Sequence, residues 1–220
     1  EWILQQKIIA MDDYDSPDFF GTSVALDGNT LVVGVPDAHH GTQWYAGNVY
    51  VYVRSGSVWT LQQKLIDEET AQNDKFGSSV AISGNTIVIG SIYGSYNSMR
   101  SGTVSVYVRS GNSWSLQQLI FPENFPYFGI NVNIRFGYAV AIDGDTLAVS
   151  AKEAPEYNDQ YVLQASTGSV YVFVRSENNW TFQQKLLASD RAPSDELGGS
   201  DLAKGGSALA IDGETIVVGS

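Results

Sequence analysis

The sequence predicts an all-β protein built of repeated sheets, each with four antiparallel strands. This prediction rests on two repeated motifs and on the absence of any helical pattern. A motif of the form WTLQQKL recurs at intervals of 57, 55 and 66 residues and begins at Trp2, Trp59, Trp114 and Trp180. A motif of the form SVALDGNTLVVG recurs in step with it around the turn glycines Gly28, Gly84, Gly144 and Gly213. No segment has a sustained apolar stripe with the 3.6-residue period of a helix, so we expect almost no helix.

Each repeat divides into four strands, which we call a to d. The run SVAL leads through the turn Asp27-Gly28-Asn29-Thr30 into TLVVG, and this order predicts a hairpin of strands a and b. The run VYVYVR alternates β-branched and aromatic residues and predicts strand c. A Ser-Gly turn then reverses the chain into WTLQQKL, which is strand d. Four antiparallel strands repeated every 55 to 70 residues are typical of β-propeller blades.

The repeats predict one continuous β-propeller segment of about 3.5 blades over residues 1–220. We expect residues 1–9 to be the outer strand of a preceding blade and residues 188–220 to be the first half of a further blade. Complete blades are expected over 10–66, 67–120 and 121–187. Fifteen expected strands do not close a ring, so apolar faces would stay open at the two ends. The segment is therefore expected to be about half of a larger propeller, or to be completed by other chains. In isolation it is expected to self-associate or to unfold over a broad temperature range.

The composition excludes several classes of function. The chain has 24 acidic and 12 basic residues, a net charge of −12 and no cysteine. Such an acidic balance argues against binding to nucleic acid and to anionic membrane surfaces. No apolar run approaches the roughly 20 residues that span a bilayer, so direct membrane insertion is not expected. The absence of cysteine excludes disulfides and thiol chemistry.

The candidate binding residues lie on the long connections, from strand b to c and from strand d to a, which a propeller places at one end. These connections hold 17 of the 24 acids and 6 of the 12 basic residues, so an acidic face is expected there. Aromatic side chains between the acids suit a protein interface or a sugar, although any one ring could instead pack its loop onto a blade. The candidates are Asp37, His39, His40, Trp44, Tyr45, Tyr93, Tyr96, Tyr157 and Tyr161.

Three further patterns are candidate sites. Asp12, Asp13, Asp15 and Asp18 could converge on a cation, but Tyr14 and Pro17 interrupt the spacing, and a solvated acidic loop is favoured. His39 and His40, with Asp37 nearby, offer too few ligands for a defined metal site. Asn179-Trp180-Thr181 is a glycosylation sequon on a turn from strand c to d.

The chain resembles FG-GAP repeat proteins, which include the propellers of integrin α-subunits. The resemblance rests on an FG pair before strand a and on Val33-Gly34-Val35-Pro36 after strand b. The FG pairs are Phe20-Gly21, Phe76-Gly77 and Phe136-Gly137, with Leu197-Gly198 in the fourth repeat. The resemblance implies a larger ring of about seven blades and an extracellular or cell-surface location. The calcium site of integrin-type blades does not carry over, because the turn at Asp27 is too short for a DxDxDG loop, and no cofactor is expected.

The sequence favours a non-enzymatic module for adhesion, interaction or assembly that binds a protein partner through its long-loop face. It shows no nucleophile elbow, phosphate loop or zinc-protease helix. A carbohydrate-binding propeller is one alternative, motivated by the aromatic loops. A propeller appended to an enzyme, such as a phospholipase, is another.

Overall fold

A computed structural model of the protein describes residues 1–9, 19–67, 71–97, 99–122, 133–157, 163–189, 196–199 and 209–219. These residues form 16 β-strands and no helix. The expected all-β class is therefore confirmed.

Three complete blades follow one another along the chain. The first consists of β1 (Ser23–Asp27), β2 (Thr30–Val35), β3 (Asn48–Ser55) and β4 (Val58–Leu65). The second consists of β5 (Phe76–Ser83), β6 (Thr86–Ser91), β7 (Thr103–Ser110) and β8 (Ser113–Ile120). The third begins with β9 (Phe136–Asp143) and β10 (Thr146–Ala151).

An extra hairpin interrupts the third blade between its strands b and c. It consists of β11 (Pro155–Tyr157) and β12 (Leu163–Ser166), and the blade then finishes with β13 (Ser169–Ser176) and β14 (Asn179–Leu186). In every complete blade the four main strands lie in chain order and pair antiparallel, as the sequence predicts. The hairpin β15 (Leu209–Asp212) and β16 (Thr215–Val218) supplies strands a and b of a fourth blade.

Residues 1–9 differ from expectation, because they form no strand. No strand c precedes them in this sequence, so they have no ladder to join. Gln6 nevertheless makes a contact that outer strands make elsewhere in the array. Its Nε2 donates to the carbonyl oxygen of Trp59 at 3.1 Å, and its Oε1 accepts from the Trp59 N–H at 2.7 Å.

Glycine fixes the tight turns between strands a and b. Gly28, Gly84, Gly144 and Gly213 all have φ between +54° and +56°, as the first central residue of a type II′ hairpin turn requires. In the turns between strands c and d, Gly56 and Gly111 have φ of +60° and +61°. The third blade places Glu177 at this position with φ of +57°, a conformation that is strained for a residue with a Cβ.

The apolar core lies between blades. One cluster joins Val32 and Val51 of the first blade to Phe76 and Ile87 of the second. A second cluster joins Val106 of the second blade to residues of the third. Each blade therefore depends on its neighbour for burial of its sheet faces.

The FG pairs and the glycines at the end of strand b meet at the joints between successive blades. A Cβ on Gly34 would overlap the carbonyl oxygen of Gly77 in the next blade, and a Cβ on Gly90 would overlap that of Gly137. Only glycine permits this approach of backbone to backbone.

A β-bulge in strand d explains the repeated pair of glutamines. Opposite β3, the pairing of β4 steps from Leu61 to Gln63, so Gln62 is the extra residue. Both glutamines contact Trp114 of the next blade. Gln62 Oε1 accepts from the indole N–H at 2.9 Å, while the Gln63 amide bonds the backbone N–H and carbonyl of Trp114 at 2.7 and 2.9 Å.

We expect Gln63→Ala to lower the free energy of unfolding by about 1–3 kcal/mol, because it leaves two backbone groups of Trp114 without their partners. Chemical denaturation measures the change. Gln184→Ala is the matched control, since Gln184 occupies the same repeat position but is exposed, and it should cost less than about 0.5 kcal/mol. Equal losses in the two variants would contradict a role in joining blades.

We expect Glu177→Gly to raise the free energy of unfolding by roughly 1 kcal/mol, because glycine relieves the left-handed strain at this turn. The reciprocal change Gly111→Glu in the second blade should lower it by a similar amount. Thermal and urea unfolding of both variants measure the effects. A loss of stability in Glu177→Gly would mean that contacts of the Glu177 side chain outweigh the strain.

Candidate functional site

The long connections of neighbouring blades join at the long-loop end, which we define as the connections from strand b to c and from strand d to a. The Asn73 N–H donates to the Trp44 carbonyl oxygen at 2.9 Å, and the Lys75 N–H donates to that of Tyr45 at 3.1 Å. The Phe76 N–H donates to the Ala46 carbonyl oxygen at 2.9 Å. The loop of the first blade is thus tied to the entry of the second.

Three candidate residues come together on this tied loop, and we call His39, Trp44 and Tyr45 the aromatic cluster. The His39 ring lies 4.4 Å from the Trp44 ring and 5.4 Å from the Tyr45 ring. Trp44 is 55% exposed and Tyr45 is 41% exposed. The cluster therefore presents aromatic surface to solvent from a loop that backbone hydrogen bonds position.

His40 does not join the aromatic cluster. Its backbone exchanges two 3.0 Å hydrogen bonds with Gln43 across a tight turn that includes Gly41 at φ +59°. The side chain is exposed and lies at a groove between the outer strands of the first two blades, beside Lys64 and Asp67. The side chains of the two adjacent histidines therefore lie on different surfaces.

Asp37 forms an ion pair with Lys75, whose ammonium also lies 4.7 Å from the Tyr45 ring centroid. Lys75 has a backbone φ of +61° and immediately precedes an FG pair. The pair sits beside the aromatic cluster. Asp37 is therefore neutralised by a cation from the next blade.

Tyr93 and Tyr96 lie on the second blade's loop and pack against side chains of that loop and of the connection to the third blade. The Tyr93 ring lies 6.0 Å from the Arg100 guanidinium and 5.7 Å from that of Arg135. The Tyr96 ring stacks on Phe121 with a centroid distance of 3.5 Å. Both rings are half-buried, and their contacts are those of packed loops. The side chain of Tyr157 and all of Tyr161 lie outside the described residues.

The described parts of the long loops carry nearly balanced charge. Each of their four cations contacts a carboxylate. The pairs are Lys75 with Asp37, Arg100 with Asp74 at 3.8 Å, Arg135 with Glu153 at 2.9 Å, and Lys152 with Glu196 at 2.8 Å. The Arg135 pair is an ionic contact without hydrogen-bond alignment. The acids expected to make this face strongly negative, Asp12, Asp13, Asp15 and Asp18 among them, lie outside the described residues.

Asp74 is the most buried acid in the described parts of the long loops, with 3% of its surface exposed. Its Oδ2 accepts from the Ala71 N–H at 2.8 Å, whereas its Oδ1 is buried without a hydrogen bond. Burial raises the pKa of Asp74 above its usual value, outweighing the opposing effects of the Ala71 hydrogen bond and the Arg100 charge. The pKa of Lys152 is also raised, but for a different reason. Desolvation alone would lower it, and the contact with Glu196 raises it by more.

Two other sequence patterns have clear locations. Asn179 begins β14 and is exposed, as is Thr181 of the same sequon. Among the residues that the structure describes, no group of three or more His, Asp or Glu side chains could hold a metal ion. In the same residues no helix has the length and apolarity to cross a membrane.

Sequence reasoning missed the charged residues that organise these loops. Lys75, Arg135 and Glu196 each precede an FG or LG pair and have φ of +61°, +54° and +53°. A charged residue repeated at this position is the signal that could have found them. Their partners come from other loops, and the sequence does not reveal those contacts.

Three four-stranded sheets and a further hairpin, joined face to face, define a repeat module of the β-propeller type. Comparison with protein families adds the assignment: the FG-GAP repeat model matches residues 2–52, 59–107 and 127–173. These matches cover more than half of the chain, which therefore belongs to the FG-GAP repeat family. No curated protein matches the chain significantly.

We expect Asp74→Asn to stabilise the protein at pH 7 by on the order of 1 kcal/mol, because the amide removes a buried charge whose Oδ1 has no hydrogen bond. The raised folded-state pKa means that the folded protein binds more protons than the unfolded chain in the acid range. Wild-type stability thus falls as pH rises through that range, and the variant lacks this loss. Urea unfolding at several pH values should show the difference shrinking toward acid pH. A variant less stable than wild type at pH 7 would show that the attraction of Arg100 dominates.

Proposed function

We propose that this chain is a non-enzymatic interaction module, located outside the cell or at the cell surface, that binds a protein partner through its long-loop end. Membership of the FG-GAP repeat family supports an interaction role, since the family is typically non-enzymatic. The extracellular location rests on the resemblance to integrin α-subunit propellers and on the exposed sequon at Asn179. The proposed binding requires no metal or other cofactor.

The exposed aromatic cluster carries this proposal. Large aromatic side chains bury much apolar area with little loss of side-chain entropy, and they dominate the energetics of protein interfaces. Trp44 and Tyr45 also carry the backbone carbonyls that hold the next blade, so the rings are presented from a fixed position. The Asp37–Lys75 pair beside them supplies a polar rim.

The exposed Trp44 ring also favours a second candidate function, carbohydrate binding, because sugars stack on open aromatic faces. A glycan array probed with the wild type and with Trp44→Ala distinguishes it. Binding that is lost in the variant would support this candidate, and no binding across a broad array would count against it.

We expect a photo-crosslinking amino acid at Trp44 to give a discrete protein adduct in cells that display the protein. The same probe at Val58 is the control, because Val58 is 53% exposed and begins β4 directly after the turn at the opposite end of the blade. Excess wild-type chain should suppress the adduct, and a chain carrying Trp44→Ala and Tyr45→Ala should not. Equal adducts from the two positions would contradict the proposed site.

A further inference from the structure

Every complete blade has an exposed position at the start of strand d, directly before the repeated tryptophan. Val58 holds this position in the first blade, Ser113 in the second and Asn179 in the third, and all three are exposed. Val58 and Ser113 stay exposed although a complete blade follows each of them. The exposure of Asn179 is therefore a property of its position in the blade, whatever follows the third blade.

Asn179 differs from its two counterparts because it begins an N-glycosylation sequon with Trp180 and Thr181. No other asparagine of the chain is followed by Ser or Thr two residues later. Successive side chains of a strand point to opposite faces, so Asn179 and Thr181 share one face of β14. Trp180 points to the other face, where it is 3% exposed in the core between the second and third blades. The bulky middle residue of the sequon is thus packed away from the asparagine.

The Asn179 side chain can carry a substituent without loss of a structural contact. The hydrogen bonds of this segment belong to its neighbours. The Trp180 N–H donates to Gln118 Oε1 at 2.8 Å. Thr181 Oγ1 donates to the Val174 carbonyl oxygen at 3.3 Å. Within the part of the chain that the structure describes, the Asn179 carboxamide makes no hydrogen bond, so a group on its Nδ2 displaces none.

The sequon lies far from the aromatic cluster. Asn179 directly follows a turn from strand c to d, and we call the end of the array formed by these turns and by the turns from strand a to b the short-turn end. β14 runs for eight residues from Asn179 to Leu186, so roughly 23 Å separate the sequon from the long-loop end. A bulky, hydrated glycan on Asn179 covers the short-turn end and leaves the aromatic cluster open.

We propose that Asn179 carries an N-linked glycan, which covers the short-turn end of the third blade and leaves the long-loop end free for a partner. This inference rests on the extracellular location proposed above, because the sequon is modified in proteins that are secreted or displayed at the cell surface.

The modification transfers an oligosaccharide from a lipid pyrophosphate to the asparagine. Asn179 Nδ2 forms a bond to the anomeric carbon of the oligosaccharide. The bond between that carbon and the pyrophosphate oxygen breaks, and the lipid pyrophosphate leaves with the electron pair. The amide nitrogen releases one proton.

Mass spectrometry of the protein isolated from the cells that make it tests the proposal. We expect a glycopeptide that contains Asn179. Peptide N-glycosidase should remove the glycan and leave an aspartate in place of the asparagine. An unmodified Asn179 in that protein would overturn the proposal.

A chain directed into the secretory pathway of a eukaryotic cell by a secretion leader shows which premise is at fault in that case. Its mass should exceed the 23.9 kDa of the polypeptide. If the secreted chain carries the glycan and the protein from its own cells does not, the extracellular location is wrong. If neither carries it, Asn179 is not an acceptor.

Secreted variants separate the sequon from the residues around it. Asn179→Gln and Thr181→Val should each lose the glycan, whereas Asn178→Gln, which changes the neighbouring exposed asparagine, should keep it. Val58→Asn creates the same sequon at the matched position of the first blade and should add a second glycan. A glycan that persists in Asn179→Gln, or Val58→Asn without a second glycan, would refute the inference.

Photo-crosslinking at Trp44 distinguishes failure of this inference from failure of the proposed partner binding. Asn179→Gln should give the same adduct as the wild type, because the glycan lies at the opposite end of the blade. A weaker adduct in Asn179→Gln would contradict this placement of the glycan. A glycosylated chain that gives no adduct would count against partner binding and still support the glycan.

Discussion

The joint between blades is the constraint on which the rest of this structure depends. Strand d would be an exposed outer edge if each blade stood alone, and the glutamine pair connects it to the next blade instead. Gln63 bonds both backbone groups of Trp114, so one side chain acts there as a short piece of β-ladder. Burial of the sheet faces and the position of the long loops both follow from this joint.

Much of the fold could be predicted because its signals are local. The turn glycine between strands a and b and the alternation along strand c each involve only a few consecutive residues. Such local patterns can be recognised in the sequence, and the blades over β1–β4 and β5–β8 match the sequence analysis. Residues 1–9 repeat the strand d motif but form no strand, because a strand needs a partner that the motif does not encode. The hairpin β11–β12 carries no repeated motif and was not predicted.

The candidate site was predictable in part, for a related reason. His39, Trp44 and Tyr45 are close in sequence, so their convergence needs only a short loop. Lys75 reaches Asp37 across 38 residues, and such a contact depends on how blades pack. Aromatic composition alone could not separate Trp44, which is exposed, from Tyr96, which stacks on Phe121. The sequence also could not show which carboxylates of the long loops form ion pairs, because paired and unpaired carboxylates are identical in sequence.

The glycine contact at the joints also sets the geometry of the whole array. Gly34 and Gly90 let two backbones touch, so the angle between successive blades is fixed where there is no side chain to adjust it. In the third blade Ser150 occupies this position and lies against Gly198, and its Oγ accepts from the Ala139 N–H at 2.9 Å. In such a repeat array, the presence or absence of a Cβ at each joint limits how closely two successive blades approach. A methyl group added at Gly34 or Gly90 would overlap the backbone of the next blade, so that blade would have to shift and the angle at the joint would change.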